Sequence, residues 1–200
     1  MAKRLLLRKP EPGTFEHLLR PAEVSARSMV RLSRRPLFEP WFGRSASGRF
    51  DDPLCQFGVC YAADDVATAF AETVVHGSAL FQGGQYVVMV GDLTSRWVVT
   101  LRRAKQTKLR LADLTGEALK ALGLNNDISA TDDYTRTQAW ARAIHEADSE
   151  WDGLRYVSRQ LNDHHCYAIF ERSGAPKQGS TRLEGTRLDD LCNRFGVVGV

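Results

Sequence analysis

The alternation of hydrophobic and polar positions is clearest over residues 57–74. Its first part alternates as a strand does, and its second part repeats at helical spacing. The positions on one side are Phe57, Val59 and Tyr61 in the strand and Val66, Ala69, Phe70, Thr73 and Val74 in the helix. Asp64 or Asp65 is placed to cap the helix. The pattern therefore predicts a strand that ends at Tyr61 and a helix that carries Glu72.

Hydrophobic patterning elsewhere predicts further strands and helices in a mixed order. Strands are expected over residues 28–33, 85–93, 97–101, 109–114, 154–158 and 165–170, with a polar turn at 94–96. Helices are expected over residues 15–19, 116–122, 132–147 and 188–195. The elements do not alternate strictly as strand, helix, strand. We therefore expect a single α+β domain in which helices flank a mainly antiparallel or split sheet.

Two segments are predicted to lack regular structure over most of their length. Residues 1–28 are basic and contain three prolines, so we expect a loose N-terminal arm with one short helix. Residues 34–47 contain two prolines and the pair Trp41-Phe42, and they predict a long irregular loop. Such a loop either closes over a ligand as a lid or plugs the edge of the domain with its aromatic side chains.

Composition restricts the function classes modestly. The chain has 200 residues, 43% hydrophobic and 26% charged, which suits one ordinary globular domain. Its apolar runs are too short to span a bilayer or to form a secretory signal, so we expect a cytoplasmic protein without membrane contact. The net charge of +3 suits an anionic small molecule or an acidic partner. It is too small for a dedicated nucleic-acid-binding protein.

The four cysteines and the two adjacent histidines do not predict a metal site. The cysteines form no Cys-x-x-Cys pair, and two of them lie in apolar runs, where a free thiol packs as a small hydrophobic group. His164 and His165 are expected to point to opposite faces of a strand, so they do not easily serve one site. We therefore expect no metal cofactor.

Three residues near the first pattern are ambiguous by spacing alone. Glu72 lies off the centre of its apolar stripe, which is typical of a solvated helix face. Tyr61 is compatible with a half-buried strand aromatic, and Arg49 after Gly48 with a surface turn. Strand ends and the loops beside them are also common places for ligand sites.

Several short motifs occur in a fixed order along the chain. They are Val30-Arg31-Leu32, Gly48-Arg49-Phe50, Val59-Cys60-Tyr61-Ala62, Ala69 to Glu72, Asp152 to Ser158 and Cys166 to Phe170. This arrangement resembles the RES-domain toxins, a family named for an Arg, a Glu and a Ser. The resemblance covers about residues 29–171 and implies a RES domain over residues 29–200. Phe50 stands where that family usually has Trp, and Asp51 where Asn is common.

The resemblance implies a fold like that of diphtheria-toxin-type ADP-ribosyltransferases and an enzyme that cleaves the nicotinamide–ribose bond of NAD+. Glu72 then corresponds to the carboxylate that stabilises the oxocarbenium-like transition state. Tyr61 would stack on the cationic nicotinamide ring. No Gly-x-Gly-x-x-Gly motif opens a helix, so we expect NAD+ as a consumed substrate and not as a reused cofactor.

The resemblance also implies roles for residues elsewhere in the chain. Arg31 and Arg49 both match the family's Arg and both suit the diphosphate, together with the turn at Gly48. Ser158 would hydrogen-bond the ribose or the carboxamide. Tyr134, in the segment Tyr-Thr-x-Thr-Gln, would border the cleft. The expected catalytic set is Glu72, Tyr61, Arg31 and Ser158.

The acceptor of the ADP-ribose stays open at this point. Members of the family transfer it to water or phosphate and so deplete NAD+, or act as mono-ADP-ribosyltransferases on a protein. The resemblance further implies a cognate antitoxin with an Xre-type helix-turn-helix that blocks the cleft in a hetero-oligomer. Contact with nucleic acid would then occur only through that partner.

Two alternatives belong to other classes of protein. The basic run at residues 102–110 and the N-terminal arm suit a toxin that binds or cleaves nucleic acid without using NAD+. Such a charge run is more often a solvated face. The other alternative is an inert structural domain in which Glu72 is a surface residue.

Overall fold

Two β-sheets form the framework of a computed structural model that describes residues 7–102 and 108–200. The strands are β1 (Pro21–Val24), β2 (Val30–Ser33), β3 (Val59–Ala63), β4 (Leu80–Gln82), β5 (Gln85–Val88), β6 (Trp97–Leu101), β7 (Leu109–Leu114), β8 (Gly153–Val157), β9 (His165–Phe170), β10 (Lys177–Arg182) and β11 (Val197–Gly199). The large sheet has the order β1-β7-β8-β9-β3-β2-β6-β10, and the small sheet has the order β11-β5-β4. Among the described pairs of the large sheet, β7 and β8 are parallel and the others antiparallel. The expected single α+β domain with a mainly antiparallel sheet is confirmed.

Short helices flank these sheets. They are α1 (Val66–Phe70), α2 (Val90–Thr94), α3 (Gly116–Ala121), α4 (Asp127–Ala130), α5 (Thr135–Ala147) and α6 (Thr186–Phe195), with 3-10 turns at Glu16–Leu18, Ala26–Ser28, Pro36–Phe38 and Glu171–Ser173. Within the two described ranges, no helix has both the length and the apolar character needed to cross a membrane.

Apolar residues cover both faces of the large sheet. Val59 and Ala63 of β3 pack into one core cluster, whereas Cys60 and Ala62 pack into a second cluster. Because both faces of β3 are buried, the strand is apolar at nearly every position. Burial raises the pKa of the Cys60 thiol to about 11, which fits its predicted role as a small packing group.

Strand β3 and helix α1 form the strand-to-helix unit that the sequence predicts. Asp65 caps the helix, because its carboxylate accepts a hydrogen bond of 2.7 Å from the backbone N–H of Thr68. The helix then continues as a π-helix over Ala71–Val75. Such wider turns occur frequently at functional sites. This one carries Glu72.

The N-terminal segment is not a loose arm over its described part, contrary to the prediction. Pro21–Val24 pairs antiparallel with β7 and forms an edge of the large sheet. Phe15 is buried, and its ring packs edge-on against Trp140 at a centroid distance of 5.1 Å. Apolar contacts that the local pattern does not show therefore attach this segment to the domain.

The prediction of one strand over residues 85–93 is wrong in its second half. Strand β5 ends at Val88, and helix α2 follows it. The Thr94 hydroxyl donates to the carbonyl of Val90 at 3.0 Å and closes this single helical turn. As a result β5 and β6 belong to different sheets and are not joined by a tight turn.

Among the strands in the described part of the chain, four have no counterpart in the predictions, namely β1, β4, β10 and β11. Each of these four strands lies at an edge of its sheet. Lys177–Arg182 is polar throughout and pairs with β6 along one side. Edge strands are often short and polar, so they lack the apolar alternation that identifies inner strands.

The basic run at residues 102–110 lies partly outside the described residues, which omit 103–107. At its described end, the Lys108 ammonium lies 3.5 Å from the Glu23 carboxylate. The Arg110 guanidinium pairs with Asp148 at 3.2 Å and lies over the Trp151 ring at 4.0 Å. These two cations therefore pair with the surface of the domain itself.

Candidate active site

Glu72 and Ser158 meet at the centre of the site. Ser158 follows β8 and is 1% exposed, and its hydroxyl donates a hydrogen bond of 2.6 Å to Oε1 of Glu72. The backbone N–H of Gln160 donates to the same oxygen at 3.2 Å. Ser158 Oγ in turn accepts the N–H of Leu161 at 3.0 Å. The carboxylate is thus held in a fixed orientation and is not a solvated surface group.

A small pocket of about 60 Å³ brings Glu72 together with two other predicted site residues. Its wall contains Arg31, Tyr61, Glu72, Tyr156 and Cys166, together with Thr73 and apolar residues of β2, β3 and α1. Burial raises the pKa of the Tyr156 phenol and of the Cys166 thiol well above their usual values, so both groups are neutral. Charges act more strongly in such surroundings than in water.

Tyr61 is part of the wall of this pocket, and its hydroxyl is held by two hydrogen bonds. The hydroxyl donates to Asp51 Oδ1 at 2.9 Å and accepts the backbone N–H of Phe50 at 2.8 Å. Burial, and then the charge of Asp51, raise the pKa of the Tyr61 phenol well above its usual value. Tyr61 therefore offers the pocket a neutral, fixed aromatic surface.

Gly48 allows this arrangement because it has no side chain. A Cβ atom at this position would lie 2.6 Å from the Tyr61 hydroxyl and 2.6 Å from Asp51 Oδ1, closer than a carbon atom tolerates. The Gly48 N–H also donates to Asp51 Oδ2 at 2.9 Å. The described contacts of Gly48 thus position Tyr61, whereas the resemblance implied a place in the binding of NAD+.

Arg31 lies at the wall of the small pocket and is held by two neighbours. Its Nη1 donates to the carbonyl of Tyr61 at 3.0 Å, and its Nε lies 3.0 Å from Oε2 of Glu39. The Glu39 side chain is 2% exposed, whereas that of Arg31 is 21% exposed. The pairing keeps the cation of Arg31 at the edge of the pocket.

Arg49 and Tyr134 make contact with each other. The Arg49 guanidinium lies 4.8 Å from the centre of the Tyr134 ring and donates to the carbonyl of Thr131. Gln138 of α5 donates to the carbonyl of Gly48 at 2.9 Å. These contacts join the turn around Arg49 to the start of α5. Of the two candidate arginines, Arg31 is the one that lines the pocket beside Glu72.

A wider cleft of about 600 Å³ shares Arg31, Leu32 and Thr73 with the small pocket. Its other lining residues are Ser33, Arg34, Arg35, Phe38, Glu39, Trp41, Gly77, Ser78 and Arg96. The predicted irregular loop therefore forms part of the wall of a cleft. Four arginines line it, which suits an anionic ligand.

Arg96 is a member of this wall that the sequence analysis missed, because it lies in a predicted turn. It is 5% exposed, and its Nε and Nη2 donate to the carbonyl of Asp92 at 2.8 Å and to the Ser78 hydroxyl at 3.1 Å. Burial and the nearby Arg34 lower the pKa of its guanidinium. The basic residue in the predicted turn at 94–96 was the available sequence signal.

One group of side chains within residues 7–102 and 108–200 has the composition of a metal site. Asp64, Asp65 and His164 each offer a ligand atom, and these atoms lie within 4.8 Å of one another. Asp65 already caps α1, and Asp64 Oδ2 accepts the N–H of His165 at 3.0 Å. Both carboxylates therefore have a structural role, and we assign no metal to them.

Comparison with known proteins bears on the family and on the fold. A chain of the M. tuberculosis MbcT–MbcA toxin–antitoxin complex, known from a crystal structure, is similar in fold, with a TM-score of 0.65 and 18% sequence identity. The similarity covers 90% of this chain and 97% of that chain. The comparison with curated protein sequences finds no match. The family model of the RES domain matches residues 28–187. The chain therefore belongs to the RES-domain family.

Proposed function

We propose that this protein is the toxin of a toxin–antitoxin pair and that it cleaves the nicotinamide–ribose bond of NAD+. The observation that carries the proposal is the fixed Glu72 carboxylate in a pocket shared with Tyr61 and Arg31. Membership of the RES family and the arginine-lined cleft beside that pocket support it. The small pocket has about the volume of two waters. We therefore place the dinucleotide mainly in the wide cleft, with its reacting ribose at the wall that both cavities share.

Glu72 would act on the charge that develops during bond cleavage. The C–N bond breaks, its electron pair leaves with nicotinamide, and positive charge builds up on the ribose. A carboxylate that is already oriented stabilises that charge without further reorganisation. An acceptor then forms the new bond to the same carbon and loses its proton to solvent. The hydrogen bond from Ser158 keeps the Glu72 carboxylate in place throughout.

Tyr61 and Arg31 would bind the two charged parts of the substrate. Nicotinamide is cationic while it is joined to ribose, so the ring face of Tyr61 attracts it and releases it more readily once it is neutral. The diphosphate is anionic and suits Arg31 at the shared wall, together with the arginines of the wide cleft.

Release of free nicotinamide from NAD+ by the purified protein tests the proposal. Glu72→Gln keeps the size of the side chain and an oxygen for Ser158 to donate to, so the melting temperature should change little. We expect release to fall about a hundredfold or more. No release by the wild-type protein under any condition, or release by Glu72→Gln within about threefold of wild type, would refute the proposed function.

The same assay distinguishes the possible acceptors. We propose that NAD+ is depleted with water or phosphate as the acceptor. The alternative is a mono-ADP-ribosyltransferase that modifies a specific protein. Dependence of the rate on phosphate, or on added cell lysate with transfer of label from NAD+ to a protein band, identifies the acceptor.

A partner follows from the same proposal. An uncontrolled NAD+-consuming enzyme would harm its own cell, so we propose a cognate antitoxin of the Xre-type helix-turn-helix class that covers the cleft in the cytoplasm. The protein with the similar fold was crystallised as a toxin–antitoxin complex, which supports this expectation. Inhibition of nicotinamide release by the co-expressed partner would test it.

A further inference from the structure

Two aromatic side chains at the rim of the wide cleft are largely exposed. Phe38 and Trp41 line the cleft, and they are 69% and 59% exposed. Aromatic residues usually bury most of their surface, and exposed ones grouped beside a cleft are typical of binding sites. Their large flat faces are therefore available to a ligand.

A buried carboxylate connects these aromatics to the small pocket. Glu39 pairs with Arg31 through its side chain, which is 2% exposed, and its Oε2 also accepts the backbone N–H of Trp41 at 2.9 Å. The same group thus holds the arginine that borders both cavities and the backbone that carries the rim aromatic. The backbone of Trp41 is therefore held next to the residue that pairs with Arg31 at the wall of the small pocket.

The chemistry of the cleft wall matches a nucleotide. Its cations are Arg31, Arg34, Arg35 and Arg96. Arg31 pairs with Glu39, and Arg34 and Arg96 pair with Asp92, so these four cations outnumber their two acidic partners. Guanidinium groups bind phosphate oxygens, and aromatic faces stack on nucleobases. A volume of about 600 Å³ is within the range of sites that enclose a ligand of nucleotide size.

We propose that Phe38 and Trp41 bind the adenine base of the substrate by stacking, and that this protein therefore acts on dinucleotides in preference to nicotinamide mononucleotide. This inference rests on the proposed NAD+ cleavage and extends it to the half of the substrate that does not react. Binding energy from a non-reacting part of a substrate helps to position the reacting bond. Removal of the stacking surface should therefore weaken the binding and cleavage of NAD+ and leave the cleavage of nicotinamide mononucleotide unchanged.

A binding experiment tests the base site without relying on turnover. ADP and inorganic pyrophosphate are titrated into the wild-type protein, the Phe38→Ala/Trp41→Ala variant and the control Leu54→Ala by calorimetry. Leu54 is also 59% exposed, but it is not among the residues that line the cleft. We expect the double variant to bind ADP about tenfold to a hundredfold more weakly than wild type does. Its affinity for pyrophosphate should equal that of wild type. The proposal would be overturned if wild type and the double variant bound ADP with equal affinity. It would also be overturned if the double variant lost affinity for ADP and for pyrophosphate to the same extent.

A kinetic experiment tests the consequence for the substrate. The value of kcat/KM for nicotinamide release is measured with NAD+ and with nicotinamide mononucleotide for the same three proteins. For the double variant, kcat/KM with NAD+ should be about tenfold to a hundredfold lower than for wild type. With the mononucleotide, kcat/KM should stay within about twofold of the wild-type value. An equal loss on both substrates would overturn the adenine assignment. No release from either substrate by wild type would refute the proposed function, whereas the ADP titration would still decide the base site.

Discussion

The Ser158 hydroxyl donates a hydrogen bond of 2.6 Å to the Glu72 carboxylate, although 86 positions separate the two residues in the sequence. Ser158 is buried, and its oxygen is also fixed by the backbone N–H groups of Gln160 and Leu161. Hydrogen bonds from a hydroxyl to an ionised oxygen are short and strong. The orientation of Glu72 therefore depends on the turn that follows β8.

Replacement of Ser158 by alanine should lower NAD+ cleavage without abolishing it. The Glu72 carboxylate remains but loses one oriented donor, a loss worth about 1.5–3 kcal/mol for a charged group. We expect release of nicotinamide to fall about tenfold to a hundredfold. Ser173→Ala is a matched control, because Ser173 is also buried and accepts a backbone N–H, that of Ala175 at 3.3 Å. Equal rates for Ser158→Ala and wild type would show that Ser158 does not position Glu72.

Replacement of Tyr61 by phenylalanine should affect stability more than substrate binding. The ring stays in the pocket, but Asp51 loses a donor and the N–H of Phe50 loses its acceptor. Leaving buried partners unsatisfied costs about 1–3 kcal/mol, which corresponds to a fall in melting temperature of about 2–12 °C. The control variant Tyr86→Phe, on the small sheet, should change the melting temperature by less than about 2 °C. An unchanged melting temperature for Tyr61→Phe would contradict the role of this hydroxyl.

Arg31 should contribute both to the unfolding free energy, through its pairing with Glu39, and to the release of nicotinamide. A double variant of the two residues distinguishes these contributions. Arg31→Met leaves the buried Glu39 carboxylate without its cation and should cost about 3 kcal/mol of unfolding free energy. In Arg31→Met/Glu39→Gln the buried charge is gone, so most of that stability should return. Nicotinamide release should stay low in both variants, because neither has the cation at the pocket wall. Chemical unfolding and the release assay measure the two effects. Wild-type activity in the double variant would remove Arg31 from substrate binding.

His145 should make stability fall at acid pH. Its ring stacks on Phe57 at a centroid distance of 3.7 Å, and burial and then the Arg172 cation lower its pKa from 6.5 to about 4. Between these values the unfolded chain binds a proton that the folded protein does not. The contribution of His145 to the unfolding free energy is therefore full above about pH 6.5 and declines as the pH falls toward about 4.

The variant His145→Phe keeps an aromatic ring at this position and removes the titrating group. Urea unfolding of wild type and His145→Phe at pH 7, 5.5 and 4.5 measures the difference between them. We expect wild type to lose stability relative to the variant as the pH decreases, while the carboxylates common to both cancel in the comparison. A difference that stays constant over this range would show that His145 does not titrate as its environment implies.

Local patterns predicted much of the framework. The strands at 109–114 and 165–170 coincide with β7 and β9, because inner strands carry apolar residues on both faces. The helix that carries Glu72 was also predicted, with its aspartate cap. Its π-helical turn was not, because a helical repeat of apolar residues does not distinguish a slightly wider turn.

Edge strands and cleft walls were predicted poorly because contacts with distant segments, and not the local pattern, determine them. Lys177–Arg182 forms β10 although it is polar throughout, since its pairing with β6 supplies the order that its own pattern lacks. Arg96 lies in what the sequence shows as a turn, yet the structure buries it against Ser78 and Asp92. Neither outcome is visible in the residues next to it in the chain.

By itself, the sequence determined the α+β class, the unit that joins Tyr61 to Glu72 and the membership of the RES family. These depend on short-range periodicity and on motifs that occur in order along the chain. Only the tertiary structure decided that Arg31 lines the pocket beside Glu72 while Arg49 contacts Tyr134, and that Ser158 orients the carboxylate. The physical reason is that these contacts join distant segments. They exist only after the sheets have formed and packed, and no local pattern of polar and apolar residues encodes their distances.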